Sequence, residues 1–208
     1  MKNEILYLLL DNYAEHEPAF LASAINCDAA GMKRNPKYVN KVLAPTMEEV
    51  RSCGGFRTMP DYSFDNMPEE YAALILIGGY GWLDENVTEK VRPIVQDAIN
   101  RGRIVGAICN GASFLAKYGF LNSVRHTGNG IGQMKLWGGS AYTNENGYVN
   151  ERAVSDGRIV TANGSGYLEF ARELLLLLEN DTPEAIDMFY KFNKIGFVNM
   201  LNPKGAIK

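Results

Sequence analysis

The amino-acid sequence predicts an α/β fold: a mostly parallel sheet covered by helices on both faces. Three observations predict it. The runs Ile5 to Leu10, Ala72 to Ile77 and Arg103 to Ile108 lack the polar–apolar alternation of a half-exposed strand, so they read as strands buried on both sides. Segments of helical periodicity separate them, as parallel neighbours require a crossover. Glycine or turn chemistry closes the strand ends.

Each element follows from local chemistry. Ile5 to Leu10 is the first strand, and Pro18 to Ile25 is a helix with its proline in the first turn, where a missing N–H costs little. Tyr38 to Leu43 is a second strand, ended by Pro45. Val50 to Phe56 reads as a short strand broken by Gly54-Gly55, and Pro60-Asp61-Tyr62-Ser63 as a turn. Ala72 to Ile77 is a buried strand that closes in Gly78-Gly79. Thr88 to Asn100 is an amphipathic helix ended by Gly102. Arg103 to Ile108 is a strand and Ala112 to Tyr118 a helix. Asn144-Glu145-Asn146-Gly147 reads as a hairpin turn between short strands. Ile159 to Ala162 is the last strand and Tyr167 to Leu178 a helix. Thr182-Pro183-Glu184 opens an extra C-terminal helix, about 182–195.

Composition narrows the function classes. A chain of 208 residues with 46% hydrophobic and 22% charged residues suits one domain, 1–208, with a sizeable core. A net charge of −3 gives no electrostatic footprint for nucleic acid or an anionic membrane. The longest run of leucines, Leu174 to Leu178, is far short of the ~18 residues of a membrane span. Cys27, Cys53 and Cys109 are too scattered for a disulfide framework or a metal cluster, and neither a metal nor another cofactor is expected. Free thiols and a start that runs straight into a strand point to a reducing, cytoplasmic setting.

Cys109 carries the most information. It stands between a buried strand and a helix start, in Ala107-Ile108-Cys109-Asn110-Gly111. Such a residue sits on a sharp turn, and the helix aims its free N–H groups and positive dipole end at the sulfur. That setting is expected to favour thiolate and hence nucleophilicity. Cys27 and Cys53 lack it and read as packing residues. Ligands of open α/β sheets bind outside the carboxyl ends of the strands. That rule gathers Asp11 to Glu17, Gly78 to Trp82, Cys109 and Asn163 to Gly166 onto one rim.

Ile77-Gly78-Gly79, Ala107-Ile108-Cys109-Asn110-Gly111, His126, Thr161-Ala162-Asn163-Gly164 and Ala14-Glu15-His16-Glu17, taken in order, resemble the DJ-1/PfpI family, related to the class I glutamine amidotransferases. The resemblance runs from about Ile5 to Leu178. It implies a flavodoxin-like three-layer α/β/α sandwich, a homodimer, and one of several activities: amidase or peptidase, glyoxalase or deglycase, hydratase, or oxidative-stress sensing. The substrate would be a small molecule or a peptide. Cys109 takes the place of the elbow cysteine. The carboxyl that hydrogen-bonds the sulfur matches Glu17 or Glu15. The backbone N–H groups of Gly79 and Asn110 match the oxyanion hole. The histidine that many peptidase-like members place directly after the cysteine is replaced by Asn110. His126, 17 residues beyond Cys109, is then the expected base, with His16 in reserve. Tyr80 and Trp82 are candidate pocket walls, and Asp11 either binds substrate or caps a helix.

Overall fold

The computed structural model describes residues 3–28, 31–32 and 35–201. The chain opens with β1 (Glu4–Leu8) and α1 (His16–Asn26). A small hairpin of β2 (Cys27–Asp28) and β3 (Gly31–Met32) follows, then β4 (Val39–Ala44). β5 (Val50–Arg51) and β6 (Arg57–Thr58) pair with each other, and β7 (Tyr62–Ser63) and β8 (Ala73–Leu76) come next. Then come α2 (Glu85–Asn100), β9 (Ile104–Ile108), α3 (Asn110–Lys117), α4 (Ile131–Gly138), β10 (Ala153–Asp156) and β11 (Ile159–Ala162). Helices α5 (Tyr167–Leu177), α6 (Pro183–Ile195) and α7 (Phe197–Leu201) close the described chain.

The main sheet has the strand order β10-β11-β9-β8-β1-β4-β7. All neighbours are parallel except β10, which returns antiparallel against β11. Its two faces sort the strand residues by parity. Ile5, Tyr7, Ile75 and Ile77 pack with Leu21 and Ile25 of α1, Phe170 and Leu174 of α5, and Ile186 of α6. Leu6, Leu8, Leu74 and Leu76 pack with Val91 and Val95 of α2, Phe114 and Leu115 of α3, and Met134 of α4. The result is the expected three-layer sandwich, and it explains the continuous apolar runs: both faces of each central strand are core.

Three local expectations are corrected. Tyr62 and Ser63 do not merely turn; they add a parallel edge strand beside Leu43 and Ala44. Val50 to Phe56 is not one strand, because the chain doubles back there and β5 pairs with β6. Asn144 to Gly147 joins no strands: Glu145–Gly147 is a 3-10 turn. The hairpin lies further on, where Gly157-Arg158, with Gly157 at φ 57°, joins β10 to β11. The final helix appears as read, its N-terminus capped by Thr182 Oγ1 accepting from Ala185 N at 3.2 Å.

Candidate active site

Cys109 is the residue between β9 and α3, at φ 57° and ψ −123°. A left-handed backbone is strained for a side chain with a Cβ, at a cost of about 1–3 kcal/mol. Its neighbours hold it there. Cys109 N donates to Ala162 O at 3.0 Å, and Cys109 O accepts from Ala112 N at 3.1 Å. The turn after β8 approaches so closely that a Cβ on Gly78 would lie 2.5 Å from Cys109 Cβ and 2.6 Å from Glu17 Oε2. Glycine is the residue that fits there.

Glu17, in the first turn of α1, is 1% exposed and reaches under this elbow. Its Oε2 accepts from Gly78 N at 2.6 Å. Its Oε1 lies on the sulfur side: a Cβ on Gly164 would stand 3.2 Å from Sγ and 3.5 Å from Oε1. Burial pushes the Glu17 carboxyl up to about 7, against the opposing pull of the Gly78 and Cys109 hydrogen bonds. With Oε2 committed to Gly78, the proton of the neutral acid belongs on Oε1, facing sulfur.

The Cys109 thiol is also pushed up, chiefly by burial and then by the charge of ionised Glu17. This corrects the expectation of a thiol lowered by its helix start. Two donors act in the expected direction. The Asn110 N–H bonds the sulfur, and Asn129 Nδ2 donates to Sγ at 3.2 Å. They do not outweigh desolvation. The carboxyl and thiol are a coupled pair in which each negative charge disfavours the other.

The remaining candidates are placed as follows. Glu15 turns away: its Oε2 accepts from Gly54 N at 3.2 Å, and its own backbone N–H holds it below the usual carboxylate range. Of the two acids that the sequence offers, Glu17 is the one at the sulfur. His126 is fully buried, with Nδ1 at 2.9 Å from Val124 O and Nε2 at 2.7 Å from the Tyr142 hydroxyl. Val124 O can only accept, so Nδ1 carries the proton and Nε2 accepts from Tyr142. Burial lowers the pKa of the ring and so favours its neutral form. Both nitrogens are committed, and neither bonds Cys109. His16 is exposed and packs edge-on against Tyr167. Trp82 is 2% exposed, packed on Phe114 with Nε1 donating to Ile77 O, so it is core and no wall of a pocket. Tyr80 is 67% exposed. Asp11 holds a neighbouring strand, its Oδ1 accepting from Arg51 N at 2.9 Å. Cys53, expected to pack, is exposed, with its thiol at 2.9 Å from Asn12 O.

The residue that the sequence reading missed is Asn129. Its Oδ1 accepts from Gly164 N at 2.9 Å, which fixes the amide with Nδ2 toward Sγ. The available signal was Gly128-Asn129-Gly130, an asparagine between two glycines, which is tight-turn chemistry. Asn110 braces the rim from the other side: Nδ2 donates to Gly79 O at 2.8 Å, and Oδ1 accepts from Gln133 at 2.8 Å. Among the described residues, no group of three or more His, Cys, Asp or Glu side chains is placed to hold a metal ion. No helix among them is long and apolar enough to cross a membrane.

The DJ-1/PfpI family model matches residues 3–177. The chain belongs to the DJ-1/PfpI family. Two Bacillus subtilis relatives span almost the same length. The uncharacterized protease YdeA is 35% identical over 200 residues, 96% of this chain and 95% of its own. The uncharacterized protease YoaZ is 32% identical over 201 residues, 93% and 92% of the two chains. A DJ-1 superfamily protein from Agrobacterium tumefaciens superposes with a TM-score of 0.80 at 34% identity, covering 95% of this chain and all of that one. A ThiJ/PfpI family protein from Bacillus anthracis gives 0.84 at 28% identity, covering 97% and 94%. The DJ-1/PfpI match ends at α5, so α6 and α7 are additions beyond it.

Proposed function

We propose that this DJ-1/PfpI protein is a cysteine-dependent hydrolase in which Cys109 attacks a carbonyl-type carbon. The observation that carries the reading is the buried pair: a sulfur on a strained elbow against a carboxyl with a pKa pushed up to about 7. Such a carboxyl exchanges protons near neutrality, which is what a general acid–base needs. In this reading Cys109 Sγ bonds to the carbonyl carbon while its proton passes to Glu17. The carbonyl π electrons become an oxyanion, held by the N–H groups of Gly79 and Asn110. When the leaving group departs, Glu17 returns that proton to it, and water then hydrolyses the thioester. His126 has no part, because its nitrogens are spent on Val124 and Tyr142. The names of the two Bacillus subtilis relatives support a hydrolytic role.

A second reading, an oxidation sensor acting through Cys109, is favoured by one feature. The groups facing the sulfur are hydrogen-bond donors, which suit an oxidised sulfur as well as a thiolate. One experiment separates the two. The wild type and Cys109→Ser are assayed against a panel of amides and of 2-oxoaldehydes such as methylglyoxal. Amide turnover lost in Cys109→Ser supports the hydrolase, whereas turnover of 2-oxoaldehydes alone, lost in the same variant, would keep Cys109 as the nucleophile and replace hydrolysis by a glyoxalase-type reaction. Absence of turnover together with rapid peroxide modification of Cys109 supports the sensor.

We also infer a cytoplasmic homodimer. Its support is exposed apolar surface at Tyr80 on the rim and at Met188, Phe192, Ile195 and Val198 on α6 and α7. Light scattering should give about twice the 23.1 kDa of one chain, and a monomeric mass overturns this.

A further inference from the structure

A cleft of about 420 Å³ opens beside Cys109. Two of its lining residues, Asn129 and Gly164, are the ones set against the sulfur. The others include Tyr148, Asn150, Asn163 and Ser165, and the lining contains no acid or base. Asn129 and Asn163 are already committed. Asn163 Oδ1 accepts from Ser165 N and Oγ at 3.1 and 2.8 Å, and its Nδ2 donates to Glu151 O at 3.3 Å. That leaves three side chains with free capacity. The Asn150 amide and the Tyr148 hydroxyl make no hydrogen bond among the described residues, and Ser165 Oγ has given away its proton but keeps lone pairs.

The available groups therefore both donate and accept. A carboxylate or phosphate only accepts, and would face the Asn150 and Ser165 lone pairs without satisfying them. An ammonium only donates. A hydroxyl or a carboxamide does both. Two opposite charges stand near the lining: exposed Arg152, whose Nη1 donates to Ser165 O at 3.1 Å, and exposed Glu151 beside it in the chain, while Glu17 is buried. We propose that this cleft selects an uncharged small molecule carrying a hydroxyl or carboxamide beside its reacting carbon, with Asn150, Tyr148 and Ser165 reading that polar end. The proposal rests on Cys109 as the nucleophile and adds the substrate class.

The test uses two alkylating probes of similar size, neutral iodoacetamide and anionic iodoacetate. Rates at Cys109 are followed by peptide mass spectrometry at about pH 6, where Glu17 is uncharged. Each rate is normalised to that of 2-mercaptoethanol. The iodoacetamide preference should exceed the reference by about tenfold, the scale of one polar group left unpaired. Asn150→Leu and Tyr148→Phe should bring it back toward the reference. A preference equal to the reference, or one for iodoacetate, overturns the cleft assignment and leaves the nucleophile standing. An iodoacetate preference that disappears in Arg152→Gln would reassign the cleft to an anion. Failure of both probes to modify Cys109 overturns the nucleophile and the cleft together.

Discussion

A carboxyl that titrates near neutrality against a thiol makes the two side chains a single proton-sharing unit. Ionised Glu17 pushes the Cys109 thiol up, so its removal acts in two directions at once. In Glu17→Gln the thiol pKa should fall, because the charge is gone, while turnover should fall too, because the proton acceptor is gone. Glu15→Gln should change neither, since Glu15 is engaged with Gly54. Alkylation rate against pH, read beside turnover, checks both; equal effects at the two positions would refute the assignment. Asn129→Leu removes the amide donor without removing bulk. It should raise the thiol pKa and slow alkylation at neutral pH by about tenfold, the value of a hydrogen bond to a charged group. The strand–Cys–Gly–helix pattern singled out Cys109, because it has few other uses, and the family resemblance narrowed the carboxyl partner to two residues. It could not choose between Glu15 and Glu17, which depends on the phase of the first turn of α1. The resemblance led to His126 and gave no sign of Asn129, because side-chain direction in a loop is not written in residue type. Three residues along the chain separate a histidine turned toward Tyr142 from an asparagine turned toward sulfur.

At the level of elements, the site is a junction of strand ends, and its tolerance is set by backbone clearance. β8 and β9 are parallel neighbours, so the turn after one passes directly beside the elbow after the other. Gly78→Ala would put a methyl 2.5 Å from Cys109 Cβ and 2.6 Å from Glu17 Oε2, between two groups that cannot withdraw. It should cost more than about 2 kcal/mol in urea unfolding and abolish Cys109 turnover. Gly157→Ala is the control: it has a positive φ of 57° but nothing within 4 Å of the new methyl. It should cost about 1 kcal/mol and leave turnover intact. An equal loss of turnover in the two would remove the clearance argument. The same geometry explains which elements were legible. Central strands announce themselves because both faces are core, as Leu74 and Ile75 are. Helix α4 gave no pattern, since only Met134 and Gly138 of its residues are buried. β7 is two residues long and held by register with β4, which no local propensity encodes.

For the molecule as a whole, the site is a cost to stability that pH should reveal. Glu17 has its carboxyl raised from 4.5 to about 7 by burial, so the folded state binds a proton that the unfolded chain releases. Stability from the neutral acid is fully present below about 4.5 and is lost as pH rises through about 7. By linkage the loss is on the order of 3 kcal/mol. A buried glutamine carries no such charge. Glu17→Gln should therefore match the wild type in unfolding free energy near pH 4.5 and exceed it by that amount near pH 8. Taking the difference between the two proteins cancels the carboxylates they share, and urea unfolding across that range measures it. A difference that runs the other way, with the wild type gaining on the variant as pH rises, would mean that the pocket stabilises the anion. Glu17 would then be a fixed negative charge beside the sulfur, and the proton transfer from Cys109 on which the proposed chemistry depends would have no acceptor that later returns the proton.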